Sequence, residues 1–329
     1  MNLKPLSYTL LSLFLCLLGC SQTYRKSVQS EPCAIVNLAA VMRDYAGMDS
    51  VARSRITDSC SIELKAFVKT LSEDSMSDVL LEAWSTSAPV AVFTPAADSI
   101  YPSLGGVERA LGYTLAAARE YGLVLPSRRY AAVVYGRPES ILFVDSVMLI
   151  ALNHYLGADY DGYSHWPLYR RLAKTPQALP YDMAEALIAT AYPYSAPEAD
   201  NTLLSNMLYQ GALAYAKLHT VEDATVAGVL GYDEATMGQL NEAEDEIWRE
   251  LVARKLLYDI SSRTIERFIA PTPLLRIDGL EWPARAGRYI GYRIVEAYMN
   301  RHPETGIDYL LSPEFYLSPD VLREADYLG

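Results

Sequence analysis

The residue whose surroundings dictate chemistry most plainly is Cys20. It follows Leu17-Leu18-Gly19, and a small residue directly before a cysteine at the end of an apolar run is the bacterial lipobox. Lys4 gives a short basic start, and Leu6 to Leu18 is an apolar core too short to stay in a bilayer as a permanent helix. Cleavage before Cys20 would leave its sulfur to carry lipid, and several acyl chains hold a protein at a membrane without a spanning helix. Elsewhere the chemistry-bearing types are sparse. The four histidines (His154, His165, His219 and His302) form no HExxH, and none sits beside a second at metal-ligand spacing. There is no GxSxG, P-loop or GxGxxG, so neither a metal nor a cofactor is expected. Cys33 and Cys60 either pair in an oxidising compartment, closing a loop with 26 residues between them, or remain two unpaired thiols.

Two further groupings carry polar atoms at helical spacing. Asn206 and Gln210 stand at i and i+4, where metalloproteases place two zinc-binding histidines. Neutral amides are poor zinc ligands and cannot serve as the base for a bound water. The simpler reading is a half-buried polar pair bonded to neighbouring loops. Glu242, Glu244, Asp245, Glu246 and Glu250 mix with Arg249, Arg254 and Lys255, and Glu250 with Arg254 at i, i+4 reads as a salt-bridged solvated face. In the segment from Arg285 to Arg301, Gly287 and Gly291 permit close approach of another backbone. Arg285, Arg288, Arg293 and Glu296 exclude a membrane GxxxG pair there.

These groups need elements to hold them. Residues 1–19 form the leader and 20–32 a flexible polar tether, leaving 33–329 as one domain. Helical patterns run from Val107 to Tyr121 (stopped by Gly122), Asp182 to Ala191, Thr202 to His219, Glu234 to Tyr258 and Arg285 to Arg301. The apolar runs Tyr130–Tyr135, Ile141–Val144 and Val147–Leu152 read as strands with a hairpin among them. Gly157 to Trp166 is a tyrosine-rich loop, and 271–284, with three prolines, reads as a loop. The fold class is therefore α+β: a predominantly helical single domain with a small central sheet. The net charge of −12, without a basic run, disfavours nucleic-acid binding. Twenty-five tyrosines against six phenylalanines suit half-buried positions and binding surfaces.

Several ordered motifs carry a resemblance. Asn206-Met207-Leu208-Tyr209-Gln210-Gly211, then Gly231-Tyr232, the acidic run into Ile247-Trp248, and Leu256-Leu257-Tyr258 resemble the gliding-motility lipoprotein GldB family of Bacteroidetes. So do Gly287-Arg288-Tyr289-Ile290-Gly291 through Ile294-Val295 to Tyr298-Met299, and His154-Tyr155-Leu156-Gly157. The resemblance implies a non-enzymatic accessory or scaffold of the gliding or associated cell-envelope secretion machinery. Its partners would be the membrane, through lipid on Cys20, and other envelope proteins. The family is itself similar to predicted zinc peptidases, which implies a degenerate zincin-like scaffold. Ser21-Gln22-Thr23-Tyr24 lacks the acidic residues of a surface-export signal, which places the expected anchor on the periplasmic face of the outer membrane. Tyr209, Gln210, Glu244 and Arg288 are the residues expected to form or support a docking groove. The alternatives are a peptidase-like hydrolase near His154 and His165, or a glycan-binding lipoprotein using the tyrosines and Trp166.

Overall fold

The apolar runs in the middle of the chain become the sheet that organises the fold. The computed structural model describes residues 26–72 and 76–329, so the leader, Cys20 and residues 21–25 of the tether lie outside the described residues. Ile35–Asn37 (β1), Arg129–Val133 (β2), Ile141–Val144 (β3) and Val147–Ala151 (β4) pair in the order β1-β2-β4-β3. β1, β2 and β4 run parallel, and β3 turns back antiparallel to β4 across Asp145, whose φ is 53°. All of β4 is buried, which explains its unbroken apolar run: a sheet covered on both faces has no polar side to write into its sequence.

Leu38–Asp44 (α1) and Ser61–Leu71 (α2) line one face, where Leu38, Leu64, Phe67 and Val68 meet Ala131, Val133 and Leu149. Gly105–Glu120 (α3) and Leu179–Ala191 (α4) cover the other, where Val107, Leu111 and Met183 meet Tyr130, Ala132 and Met148. Leu203–Thr220 (α5) is apolar nearly all round and correspondingly buried. Thr202 and Ser205 close its start with a reciprocal capping box. Glu234–Ala253 (α6) and Ala286–Arg301 (α7) complete the larger helical core around it. α5 and α7 meet at two glycines. A Cβ on Gly291 would lie 1.8 Å from the Met207 carbonyl oxygen, and one on Gly211 would lie 2.2 Å from that of Gly291. Among the described residues no helix is long and apolar enough to cross a membrane.

Three expectations change. The helix expected to reach Tyr258 ends at Ala253, because Lys255 takes a left-handed φ of 58° and Leu256–Tyr258 follows as a separate 3-10 turn. The segment 271–284 is not all loop. Leu274–Ile277 (β5) and Leu280–Pro283 (β6) form a hairpin turned at Asp278-Gly279, both with positive φ. The described part of the tether is docked. The Lys26 N–H donates to Tyr121 Oη at 2.8 Å, Ser30 Oγ donates to the Arg109 carbonyl at 2.8 Å, and the Glu31 N–H donates to the Gly112 carbonyl at 3.3 Å. Glu31 also pairs with Arg119 at 2.9 Å.

That strap depends on a bare helix surface, since a Cβ on Gly112 would stand 2.1 Å from the Glu31 carbonyl oxygen. Gly112→Ala is therefore expected to lift the strap while α3 still folds, Ala being the better helix former by roughly 1 kcal/mol. Hydrogen exchange at the Glu31 amide should accelerate by about tenfold or more, while the middle of α3 stays protected. Unchanged protection of Glu31 would show that strap and helix adjust around the new methyl group.

Cys33 and Cys60, whose pairing the sequence leaves open, are both free thiols. They belong to opposite faces of the sheet, Cys33 packing with Tyr130 and Val107 and Cys60 with Leu64 and Phe67. Burial first, then the carboxylates of Glu108 and Glu31, push the Cys33 thiol up to about 11.

Candidate functional site

Where α4, α5 and α7 converge they leave a cleft of about 480 Å³, walled by Tyr181, Tyr232 and Pro271 to Leu274. A larger hollow of about 640 Å³ lies beneath the strap, between Glu31, Cys33, Glu63 and Arg128 to Tyr130. The smaller cleft is the better candidate because three helices bring buried charges into it. Asp182 and Glu185 share a face of α4 at i, i+3. Lys217 of α5 donates to Glu185 Oε2, and Arg288 of α7 places Nη2 3.1 Å from both Glu185 oxygens. The Lys217 and Arg288 side chains are only 4% and 12% exposed.

The electrostatics follow from that packing. Burial alone would push the Glu185 carboxyl up, but Arg288 and Lys217 outweigh it and hold it well below the usual carboxylate range. Burial pulls the Lys217 ammonium down and pushes Asp182 up, although the Tyr155 hydroxyl donates to Asp182 at 2.9 Å. Arg285, immediately before α7, has a φ of 60°, donates Nη2 to the Gly231 carbonyl at 2.8 Å and lies over the Tyr232 ring at 5.2 Å. Burial and then the neighbouring Arg288 lower its affinity for a proton.

His154 belongs to the core. Its Nε2 faces the Arg137 carbonyl at 2.9 Å and so donates, and its Nδ1 accepts from Lys174 Nζ at 2.9 Å. Burial, then Lys174, push its pKa down to about 4, so the ring is neutral at pH 7 with both nitrogens engaged. His165 is exposed, edge-on to Trp166. Among the described residues, no three or more His, Cys, Asp or Glu side chains are grouped to hold a metal ion.

Of the four residues expected to form or support a groove, Arg288 lines the cleft and the other three lie elsewhere. Tyr209 donates to the Tyr192 carbonyl at 2.8 Å within a ring cluster with Tyr194 and Tyr316. The Gln210 side chain is half-buried and Asn206, one turn earlier, bonds Asn201 Oδ1 and the Thr202 carbonyl, each at 2.8 Å. Glu244 accepts from Tyr289 Oη at 2.7 Å, Tyr327 Oη at 2.8 Å and Arg293 Nε at 3.0 Å, tying α6 to α7 and to the chain's last residues. Asp182, Glu185, Lys217 and Arg285 were missed by the sequence reading. One signal was present: Lys217 is the sole Lys, Arg, Asp or Glu in an 18-residue helix that is otherwise apolar or neutral.

A family model described as gliding motility protein GldB matches residues 34–328, nearly the whole chain and every residue of the cleft. The chain belongs to this family. None of the curated proteins and none of the solved structures compared matches it. The GldB-family match takes in the sheet, the docked Glu244 and the α5–α7 crossing. It begins just after the strap, so residues 26–33 rest against the family's domain from outside the matched region.

Proposed function

We propose that this GldB-family protein is an accessory or scaffold of the gliding or associated envelope secretion machinery, held by lipid on Cys20 at the periplasmic face of the outer membrane. It acts by docking onto another envelope protein, not by catalysis. The observation that carries this reading is the Glu185–Lys217–Arg288 group, in which three helices fix one anion between two cations at the floor of a cleft. Such a surface is rigid and recognises charge, while the groups best suited to trade protons are already engaged. Lys217 is bound to Glu185, and both nitrogens of His154 are engaged. The Asn206 and Gln210 amides cannot activate a water. Arg288 is then a contact residue, with Tyr209, Gln210 and Glu244 supporting the helices around it.

Affinity capture of the tagged, lipidated protein from gently solubilised outer membranes tests this, with Cys20→Ala as the control for membrane placement. A near-stoichiometric membrane protein should be recovered and lost with Arg288→Ala, provided circular dichroism shows that variant folded. Absence of any enriched membrane protein after mild crosslinking would remove the docking role.

A further inference from the structure

Arg285 and Arg288 enter the cleft three residues apart, and neither is fully used. Arg288 commits one nitrogen, Nη2, to Glu185. Its Nε is buried without a hydrogen-bond partner, and its Nη1 makes no hydrogen bond among the described residues. Arg285 uses only Nη2, on a backbone carbonyl, and meets no carboxylate among the described residues. A buried guanidinium such as that of Arg288 ordinarily has its donors satisfied, and two adjacent cations raise each other's cost, so the half-buried Arg285 beside it calls for an acceptor that carries negative charge.

No carboxylate of the protein is left to supply it. The charged groups facing this pair are Lys217, Asp182, Glu185 and Asp233, with Lys174 acting on Asp182 from behind. Glu185 is taken by Lys217 and Arg288, Asp182 accepts from Tyr155, and Asp233 caps α6 through the Thr236 N–H at 2.7 Å. The charges lining the cleft balance, Lys217, Arg285 and Arg288 against Asp182, Glu185 and Asp233, and Arg285 is the cation left, among the described residues, without a carboxylate partner of its own. That suits a monoanion, and the planar arginine fork suits a carboxylate. The uncharged wall is mixed, with Tyr181, Tyr232, Pro271 and Pro273 beside the polar Gln177, Thr236 and Gln239, and the volume is that of a small-ligand site.

We propose that the cleft binds the carboxylate of an organic ligand, seated between Arg288 Nη1 and the unused nitrogens of Arg285 with its apolar body against Tyr232 and the proline wall. The carboxylate comes either from a free small acid or from a peptide's C-terminal end. The inference goes beyond the accessory role and is read with small probes, so either can fail while the other stands.

The test follows the arginine Nε–H resonances of the mature, detergent-solubilised protein by nuclear magnetic resonance. The probes are N-acetyl-tyrosine, N-acetyl-tyrosinamide, acetyl-Ala-Ala-Tyr with a free C-terminus, and inorganic phosphate. N-acetyl-tyrosine should produce a saturable shift, and loss of its charge in the amide should weaken binding by about tenfold or more. Arg285→Gln, which leaves the Glu185–Lys217–Arg288 group in place, should abolish the shift. If that variant melts early, Arg285→Lys, which keeps the charge without the fork, should weaken it. Tighter binding of the tripeptide than of N-acetyl-tyrosine assigns the carboxylate to a chain end, and weaker binding assigns it to a free acid. The proposal is overturned by equal binding of acid and amide or by phosphate binding more tightly than either acid. It is equally overturned by no saturable shift at the probes' solubility limit, in which case the arginine donors hold only water.

Discussion

Gly291→Ala is expected to remove a large part of the protein's stability. Overpacking a core usually costs about 1–3 kcal/mol, because side chains around the new methyl group turn aside. At Gly291 the obstruction is main chain: the Met207 carbonyl oxygen at 1.8 Å and its carbon at 2.5 Å from the added Cβ. Relief requires α5 and α7 to move apart, and most of the larger core is built on their contact. We expect a loss above about 4 kcal/mol, a large part of a typical domain's roughly 5–15 kcal/mol. The gain of about 1 kcal/mol in helix propensity does not offset it. Gly238, inside α6, is the control, since a Cβ there meets nothing within 4 Å. Gly238→Ala should stabilise by about 0.5–1 kcal/mol. Urea titration followed by circular dichroism reads both. A Gly291→Ala protein unfolding at the wild-type midpoint would show that the helices slide past the clash.

Glu185→Ala should give the second large loss. It strips the near-fully buried Lys217 of its partner and leaves Arg288 without its anion. Removing one member of a buried ion pair costs about 3–5 kcal/mol, and the Glu185 side chain's 32% exposure argues for the lower end. Replacing Lys217 by Met in the same protein should recover part of that loss, because the penalty lies in the stranded charge and not in the missing attraction.

The group also sets an acid limb. Glu185 is held below its ordinary pKa of 4.5, so its contribution is complete at neutral pH and is lost as pH falls below that value toward the folded-state pKa. Asp182, pushed up by burial, has the opposite sign and gains stability as it protonates. Comparing wild type with Glu185→Gln at each pH removes the Asp182 contribution common to both. The stability gap between them should narrow steadily below about pH 5. A gap that is constant with pH would mean that Glu185 titrates normally.

The sheet was legible because Val147 to Leu152 and Tyr130 to Tyr135 are apolar beyond what a half-exposed strand would show, and close packing of α7 because of its glycines, although only Gly291 meets α5 and Gly287 faces Phe268 and Ile269 instead. The β5–β6 hairpin was hidden by Pro271, Pro273 and Pro283, although Asp278-Gly279 between two short apolar stretches is itself a turn signature. The break after α6 had no such sign, since Leu251 to Tyr258 keeps a helical pattern and only the backbone of Lys255 departs from it. The cleft was the least legible feature. Glu185, Lys217 and Arg288 lie on three helices about a hundred residues apart in total, so no local spacing relates them, and only folding brings them to one carboxylate.

Under the lipid anchor proposed for Cys20, the strap would fix how far the domain can stray from the membrane. Lys26 is pinned to Glu120 and Tyr121, and only six residue steps separate it from Cys20. Fully extended, that span covers roughly 20 Å. With lipid on Cys20, the end of α3 at Tyr121 therefore rides on a short leash, less than the thickness of the bilayer beneath it. On the lipid anchor proposed above, the domain can swivel about that point, and its reach from the membrane is the leash plus its own width.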